Sequence, residues 1–144
     1  MTTTASIVKA LGGKSVLKAN VSSAAQLTET IRTGLPYASL EILISKLQLP
    51  RSGAAAALNL PERTLARRRK EKRLSPDESD RVLRLARLFS HAASVLEGED
   101  NAAVWFSQPN RALRGNTPLS LIDTETGARE VEDVLWRIAH GIFS

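Results

Sequence analysis

Apolar residues return at intervals of three and four along most of this chain, and nowhere do they sustain a strand-like alternation with polar ones. Leu40, Leu43, Ile44 and Leu47 form one such row and predict a helix from about Ser39 to Leu47, stopped by Pro50. A longer row, Val82, Leu85, Ala86, Phe89, Ala93 and Leu96, belongs to a helix running from Ser75 to about Leu96. Ser75 can cap it, Pro76 suits its first position, and Glu78 closes a capping box. Arg84, Arg87 and His91 fall on its other side. Val131, Val134, Leu135, Ile138 and Ile142 mark a last helix from about Ala128 to Ile142. The pattern predicts an all-α fold.

Shorter signals fill the gaps. Ser23 with Gln26 reads as a capping box, and Gly34 then Pro36 end the helix it opens. Residues 1 to about 22, rich in Thr, Ser, Lys and Gly with scattered apolar positions, are expected to be a flexible or loosely docked arm. The stretch SGAAAAL, Ser52 to Leu58, is a short helix whose small side chains allow close packing. Asn59 tolerates the left-handed conformation of a tight turn, and Pro61 suits the start of the next helix. The acidic EGED, Glu97 to Asp100, reads as a boundary.

Charge changes the picture at one place. Between Glu62 and Arg73 stand seven basic residues (Arg63, Arg67, Arg68, Arg69, Lys70, Lys72 and Arg73) and two acidic ones, Glu62 and Glu71. That net of +5 equals the net charge of the whole chain, so the remainder is balanced. An Ala-rich helix, an Asn turn and a basic helix together match a helix-turn-helix, with Ala54, Ala55, Leu58, Leu60 and Leu65 at its packing positions. At 100° per residue, an inward Leu65 turns Arg63, Arg67 and Lys70 outward with Thr64 beside them, placed to reach base edges. Arg69, Lys72 and Arg73 suit phosphates. The motif departs from pattern twice, in Asn59 for glycine and in Arg68 at a position usually apolar. A merely solvated charged helix is the competing reading.

The last helix is apolar on two faces. Trp136 lies about 140° from Val131, with Ala139 and Phe143 near Trp136. One face can serve the core, and the other requires a second layer, internal or supplied by a partner. The segment from residue 101 onward is nearly charge-balanced and holds four of the six aromatic residues: Trp105, Phe106, Trp136 and Phe143.

Catalytic and metal chemistry find little support. The spacing in DTETG, Asp123 to Gly127, fits neither an acidic metal loop nor a protease motif, and a helix cap explains it. His91 and His140 stand alone, and Glu130, Glu132 and Asp133 complement the dipole early in a helix. With no cysteine there is no disulfide, thiolate site or cysteine nucleophile. Neither a signal-peptide core nor an apolar run near the ~20 residues of a membrane span is present, so a soluble, cytoplasmic protein without cofactor or catalytic residue is expected.

Three stretches, LPERTLARR, LSPDESDRVLRLARL and WFSQPNRALRGNTPLSLIDTETGAREVEDVLWRIAHGIFS, resemble the Xre/ParS/MbcA-type antitoxins, the partners of RES-domain toxins. The match runs from about Leu40 to Ser144, most specifically through Trp105, Pro109, Asn110, Leu113, Gly115, Pro118, Leu121, Gly127, Val131, Leu135 and Gly141. The resemblance implies a Cro/repressor-like helix-turn-helix half and a small helical C-terminal toxin-binding domain. Residues 1–35 would be arm, first helix and a site of self-association, 36–96 the DNA-binding region with its long connecting helix, and 97–144 the toxin-binding domain. It implies an NAD-consuming toxin whose active site the antitoxin occludes, repression of the shared operon at its operator DNA, and self-association into a homodimer or larger complex. Arg111, Arg114, Trp136, Arg137, His140, Phe143 and Ser144 are the expected toxin contacts, while Gly115, Pro118 and Gly127 are turn and cap residues. The alternative is a stand-alone regulator whose C-terminal half senses a ligand or dimerises.

Overall fold

The computed structural model describes residues 2–141, and among them it holds ten α-helices, a 3-10 turn and no strand. In chain order the helices are α1 (Thr4–Ala10), α2 (Gly13–Leu17), α3 (Ala24–Thr33), α4 (Tyr37–Leu47), α5 (Arg51–Leu58) and α6 (Glu62–Glu71). There follow α7 (Pro76–Val95), α8 (Glu99–Phe106), the 3-10 turn Arg111–Leu113, α9 (Pro118–Leu121) and α10 (Glu125–Ala139). The all-α expectation is met.

α7 is the axis of the molecule, with α1, α3, α4, α5, α8 and α10 all packed against it. Ser75, Pro76 and Glu78 open it as their order predicts, with the serine hydroxyl and the glutamate carboxylate exchanging bonds with each other's backbone. Val82, Leu85, Ala86, Leu88, Phe89 and Ala92 are buried along it and join one continuous core. The expected outward face, Arg84, Arg87 and His91, turns out to be the seam with α10. Arg84 meets Glu125 at 3.2 Å and Arg87 meets Glu132 at 3.6 Å.

The N-terminal segment corrects the sequence reading. It is no loose arm: α1 lies along α7 and α2 against α4. Ile7, Ala10, Leu11, Leu17 and Val21 are buried, Leu11 completely. Ile7, Ala10 and Leu11 sit at i, i+3 and i+4, a helical row obscured by the Thr, Ser, Lys and Gly around it. Thr3 and Ser6 supply the reciprocal cap. A smaller difference lies at α3, where Ser23 caps as expected but Gln26 reaches past it to the amide and hydroxyl of Ser22.

The EGED stretch is a turn between two packed helices. Glu97 (φ 61°) and Gly98 (φ 151°) make a tight turn, and α8 folds back on α7 and against α4. Residues on both sides of the expected boundary therefore share the core. α10 begins three residues earlier than expected, at Glu125, because Thr124 rather than a later residue caps it. In its first turn a Cβ on Gly127 would strike the carbonyl oxygen of Leu121, so glycine is required where α10 crosses the end of α9. Ile142, assigned to the buried row of this helix, lies outside the described residues.

Leu11→Ala is expected to cost about 2–5 kcal/mol of stability, the usual range for emptying a closed leucine site. Urea unfolding of the full chain measures it, and a loosely docked segment would leave the midpoint unchanged.

Candidate nucleic-acid and partner faces

α5 and α6 meet at Asn59, which adopts the left-handed conformation (φ 53°, ψ 48°). Its amide closes onto the Ala56 carbonyl, and the Leu60 amide onto Ala55, so the end of α5 is satisfied within the turn. Pro61 stands one position before the helix, and its carbonyl accepts from the amide of Leu65. Ala54 and Leu65 are fully buried, Ala55, Ala57 and Leu58 nearly so, and α5 and α6 pack against each other.

The eight residues assigned to DNA do not act alike. Arg63, Arg67, Arg69 and Lys70 are exposed on α6, with Thr64 half-buried beside them. Lys72, also exposed, ends the helix with φ 65°, its carbonyl taken by the amide of Tyr37. Arg73 donates from Nη1 to the Gly34 carbonyl at 2.8 Å, which ties the exit of α6 to the loop before α4. Arg68 is a correction. It faces inward, donating from Nε to Glu78 Oε1 at 2.7 Å and from Nη1 to Glu71 Oε1 at 3.1 Å. At 300° from Leu65 it shares the packing side of α6, and a buried carboxylate from α7 makes a cation acceptable there.

Glu78 is the hub of that contact, with its side chain 7% exposed. Burial pushes its carboxyl up, but the Arg68 guanidinium and the Ser75 amide more than offset this and hold it below its ordinary value. The bond to Glu78 likewise raises the Arg68 guanidinium. Burial raises the Tyr37 hydroxyl against the opposing pull of Arg51, with Glu41 adding to the rise and Arg69 opposing it. Arg51, at the start of α5, is exposed like Arg69.

At the other end, Val131, Val134 and Leu135 of α10 are buried, while Trp136 is 51% exposed and Ala139 and His140 are exposed. The Trp136 and His140 rings stack at 4.0 Å with 24° between planes, and His140 Nδ1 lies 2.8 Å from the Trp136 carbonyl. Arg137 is half-buried. Arg111 is exposed, whereas Arg114, in the left-handed region (φ 60°), forks onto Glu130 at 2.7 and 3.4 Å. That pair holds the Glu130 carboxyl below its ordinary value. Phe143 and Ser144 lie outside the described residues. Trp105 is half-buried and edge-on to the buried Phe106, with centroids 5.3 Å apart.

Among the described residues no group of three or more His, Cys, Asp or Glu could hold a metal ion, and no helix is long and apolar enough to cross a membrane. Burial lowers the His91 imidazole, against the pull of Glu132.

Two family models match. Residues 26–87 match an antitoxin Xre-like helix-turn-helix domain, and residues 91–141 match an antitoxin Xre/MbcA/ParS C-terminal toxin-binding domain. A protein named Antitoxin Xre from Yersinia enterocolitica is 34% identical over 120 residues, covering 82% of this chain and 81% of that one. Another, named Prs ADP-ribosylating antitoxin, from a Sphingobium species, is 31% identical over 124 residues, covering 79% and 78%. A chain of the M. tuberculosis MbcT–MbcA toxin–antitoxin complex superposes with a TM-score of 0.52 at 24% identity, over 70% of this chain and 90% of that one. The last is a likeness of fold.

Glu78→Gln keeps an acceptor for Ser75 but removes the charge facing Arg68, and is expected to cost about 1–3 kcal/mol at pH 7. A carboxyl held below its unfolded value contributes stability that is complete above the unfolded pKa and is lost as pH falls through the folded one. Urea unfolding of both proteins should show the gap narrowing on acidification below the ordinary carboxylate range.

Proposed function

The chain belongs to the Xre antitoxin family, and on that footing we propose that it neutralises a RES-domain toxin and represses their shared operon. That it is an antitoxin with a helix-turn-helix domain follows from the family itself. The finer reading names the toxin class, the operator and the faces that meet them. The observation that carries it is the placement of two unlike exposed surfaces on one core. Four exposed cations stand on α6, and the Trp136–His140 stack stands on α10, within the segment matched to the toxin-binding domain.

Operator binding uses α6 in the major groove. Arg63, Arg67 and Lys70 reach base edges with Thr64, while Arg69, Lys72 and Arg73 meet phosphates, and a dimer reads paired half-sites. Toxin binding centres on Trp136, whose large exposed ring is the type of side chain that dominates binding hot spots. His140, Arg137 and Arg111 surround that role, with Phe143 and Ser144 continuing the chain and Arg114 available if Glu130 releases it. RES toxins consume NAD, and the name of the Sphingobium relative joins an antitoxin to ADP-ribosylation, a chemistry with NAD as its donor. The toxin partner, rather than this chain, performs that chemistry in the proposal. This chain requires no cofactor of its own.

The Arg63→Ala, Arg67→Ala double variant should bind a duplex of the gene's own upstream region more weakly, with a log–log salt slope shallower by about 2 if both contacts are to phosphate, or less if they read bases. Unchanged affinity and slope would remove α6 from the interface. Trp136→Ala should raise the Kd for the toxin roughly thirty-fold, a hot-spot loss of about 2 kcal/mol. Co-expression with the RES-domain toxin gene that the proposal pairs with it, following growth and cellular NAD, reads the loss of protection. Full protection by the variant, or an NAD level indifferent to the toxin, speaks against the assignment.

A further inference from the structure

α7 holds both sides of the helix-turn-helix through its first two turns. Arg81 Nη1 donates to the Asn59 carbonyl at 2.9 Å and to the Leu58 carbonyl at 3.3 Å, while Nη2 donates to Asp77 Oδ2 at 3.1 Å. Leu58 is the last residue of α5 and Asn59 is its left-handed cap, so this guanidinium sits on carbonyls at the negative end of the helix. Three residues earlier, Glu78 holds Arg68 in the middle of α6 at 2.7 Å. One helix thus grips the end of α5 with a cation and the body of α6 with an anion. Neither Arg81 nor Glu78 belongs to the outward face of α6.

The contact between α5 and α6 explains why such a clamp matters. The buried side chains of α5 are Ala54, Ala55, Ala57 and Leu58 and that of α6 is Leu65, so the pair has few large side chains to interlock and fix a crossing angle. Asn59, in a turn that would accept glycine, adds no side-chain bond of its own among the described residues. Hydrogen bonds of defined direction supply what the small side chains lack. Base reading tolerates little error, because a guanidinium must meet two acceptors of one guanine at once.

We infer that Arg81 and Glu78 are positioning residues for DNA recognition, fixing the angle at which α7 presents α6 to the groove. The inference rests on the operator reading above and adds how that face acquires its selectivity. Arg81 is committed to three protein acceptors, so its role differs from that of a phosphate contact.

Arg81→Lys retains the charge and loses the planar fork. Binding of the full-length protein is measured over a range of salt to a duplex of its own upstream region and to a scrambled duplex of equal composition, at a temperature where thermal melts show each protein folded. The expected result is a roughly tenfold fall in the affinity ratio between the two duplexes, with the salt slope unchanged. Glu78→Gln should lower the same ratio, which guards against a defect peculiar to one variant. An unchanged ratio in both variants overturns the inference, as does an equal loss on both duplexes, the mark of general destabilisation. A slope shallower by about 1 in Arg81→Lys overturns it too, by making Arg81 a direct phosphate contact. A wild-type protein indifferent to the two sequences overturns the operator reading and this inference with it, whereas a selective wild type with unaffected variants defeats the inference alone.

Discussion

Burial of α7 over nearly half of its circumference is the constraint from which the architecture follows. Val82, Leu85, Ala86, Leu88, Phe89 and Ala92 span about 160° of its surface at 100° per residue, wider than the stripe one neighbouring helix can cover. Closure therefore takes several helices from distant parts of the chain: α1 from the beginning, α3, α4 and α5 from the helix-turn-helix half, α8 and α10 from the end. Each completely buried leucine or phenylalanine in that core contributes roughly 1.5–3 kcal/mol, so no one of these neighbours is dispensable to a protein of ordinary stability. α1 belongs to the fold on the same terms as the rest.

Around that apolar axis the charged residues divide by what faces them. Arg68, Arg81, Arg84 and Arg87 meet carboxylates or backbone carbonyls inside the molecule. Arg63, Arg69 and Lys70 stand in solvent, and Arg67 has only a long 3.7 Å contact with Glu71. Removing a carboxylate from water beside a guanidinium costs several kcal/mol per ion, a cost that the bonds from Arg68 and from the Ser75 amide more than offset at Glu78. The exposed cations carry no such desolvation cost and keep their charge available to a polyanion.

Joining both surfaces to one core has a consequence for how an antitoxin can work. The basic helix and the helix carrying the aromatic stack are both tied to α7, whose first turns hold α5 and α6 and whose later turns hold α10. In the proposed function, operator and toxin would meet a single shaped body, which would link the spacing of half-sites to the placing of toxins along an operon.

Local pattern in the sequence was enough for the helical class, the long axis with its Ser75–Glu78 cap, the left-handed Asn59 turn and the separation of a basic segment from an aromatic one. These are properties of residues within a few positions of each other, where periodicity and capping act. Tertiary structure alone decided three things. It turned Thr-, Ser- and Lys-rich residues 2–21 into a docked segment, because α1, with the buried Ile7, packs on α7 far along the chain. It took Arg68 out of the exposed basic face, because its partner Glu78 comes from another helix. It also left Trp136 half in water, because the apolar width of α10 exceeds what α7 and α9 can cover. In all three the deciding neighbour is remote in the chain, and a one-dimensional pattern carries no record of who stands across a contact.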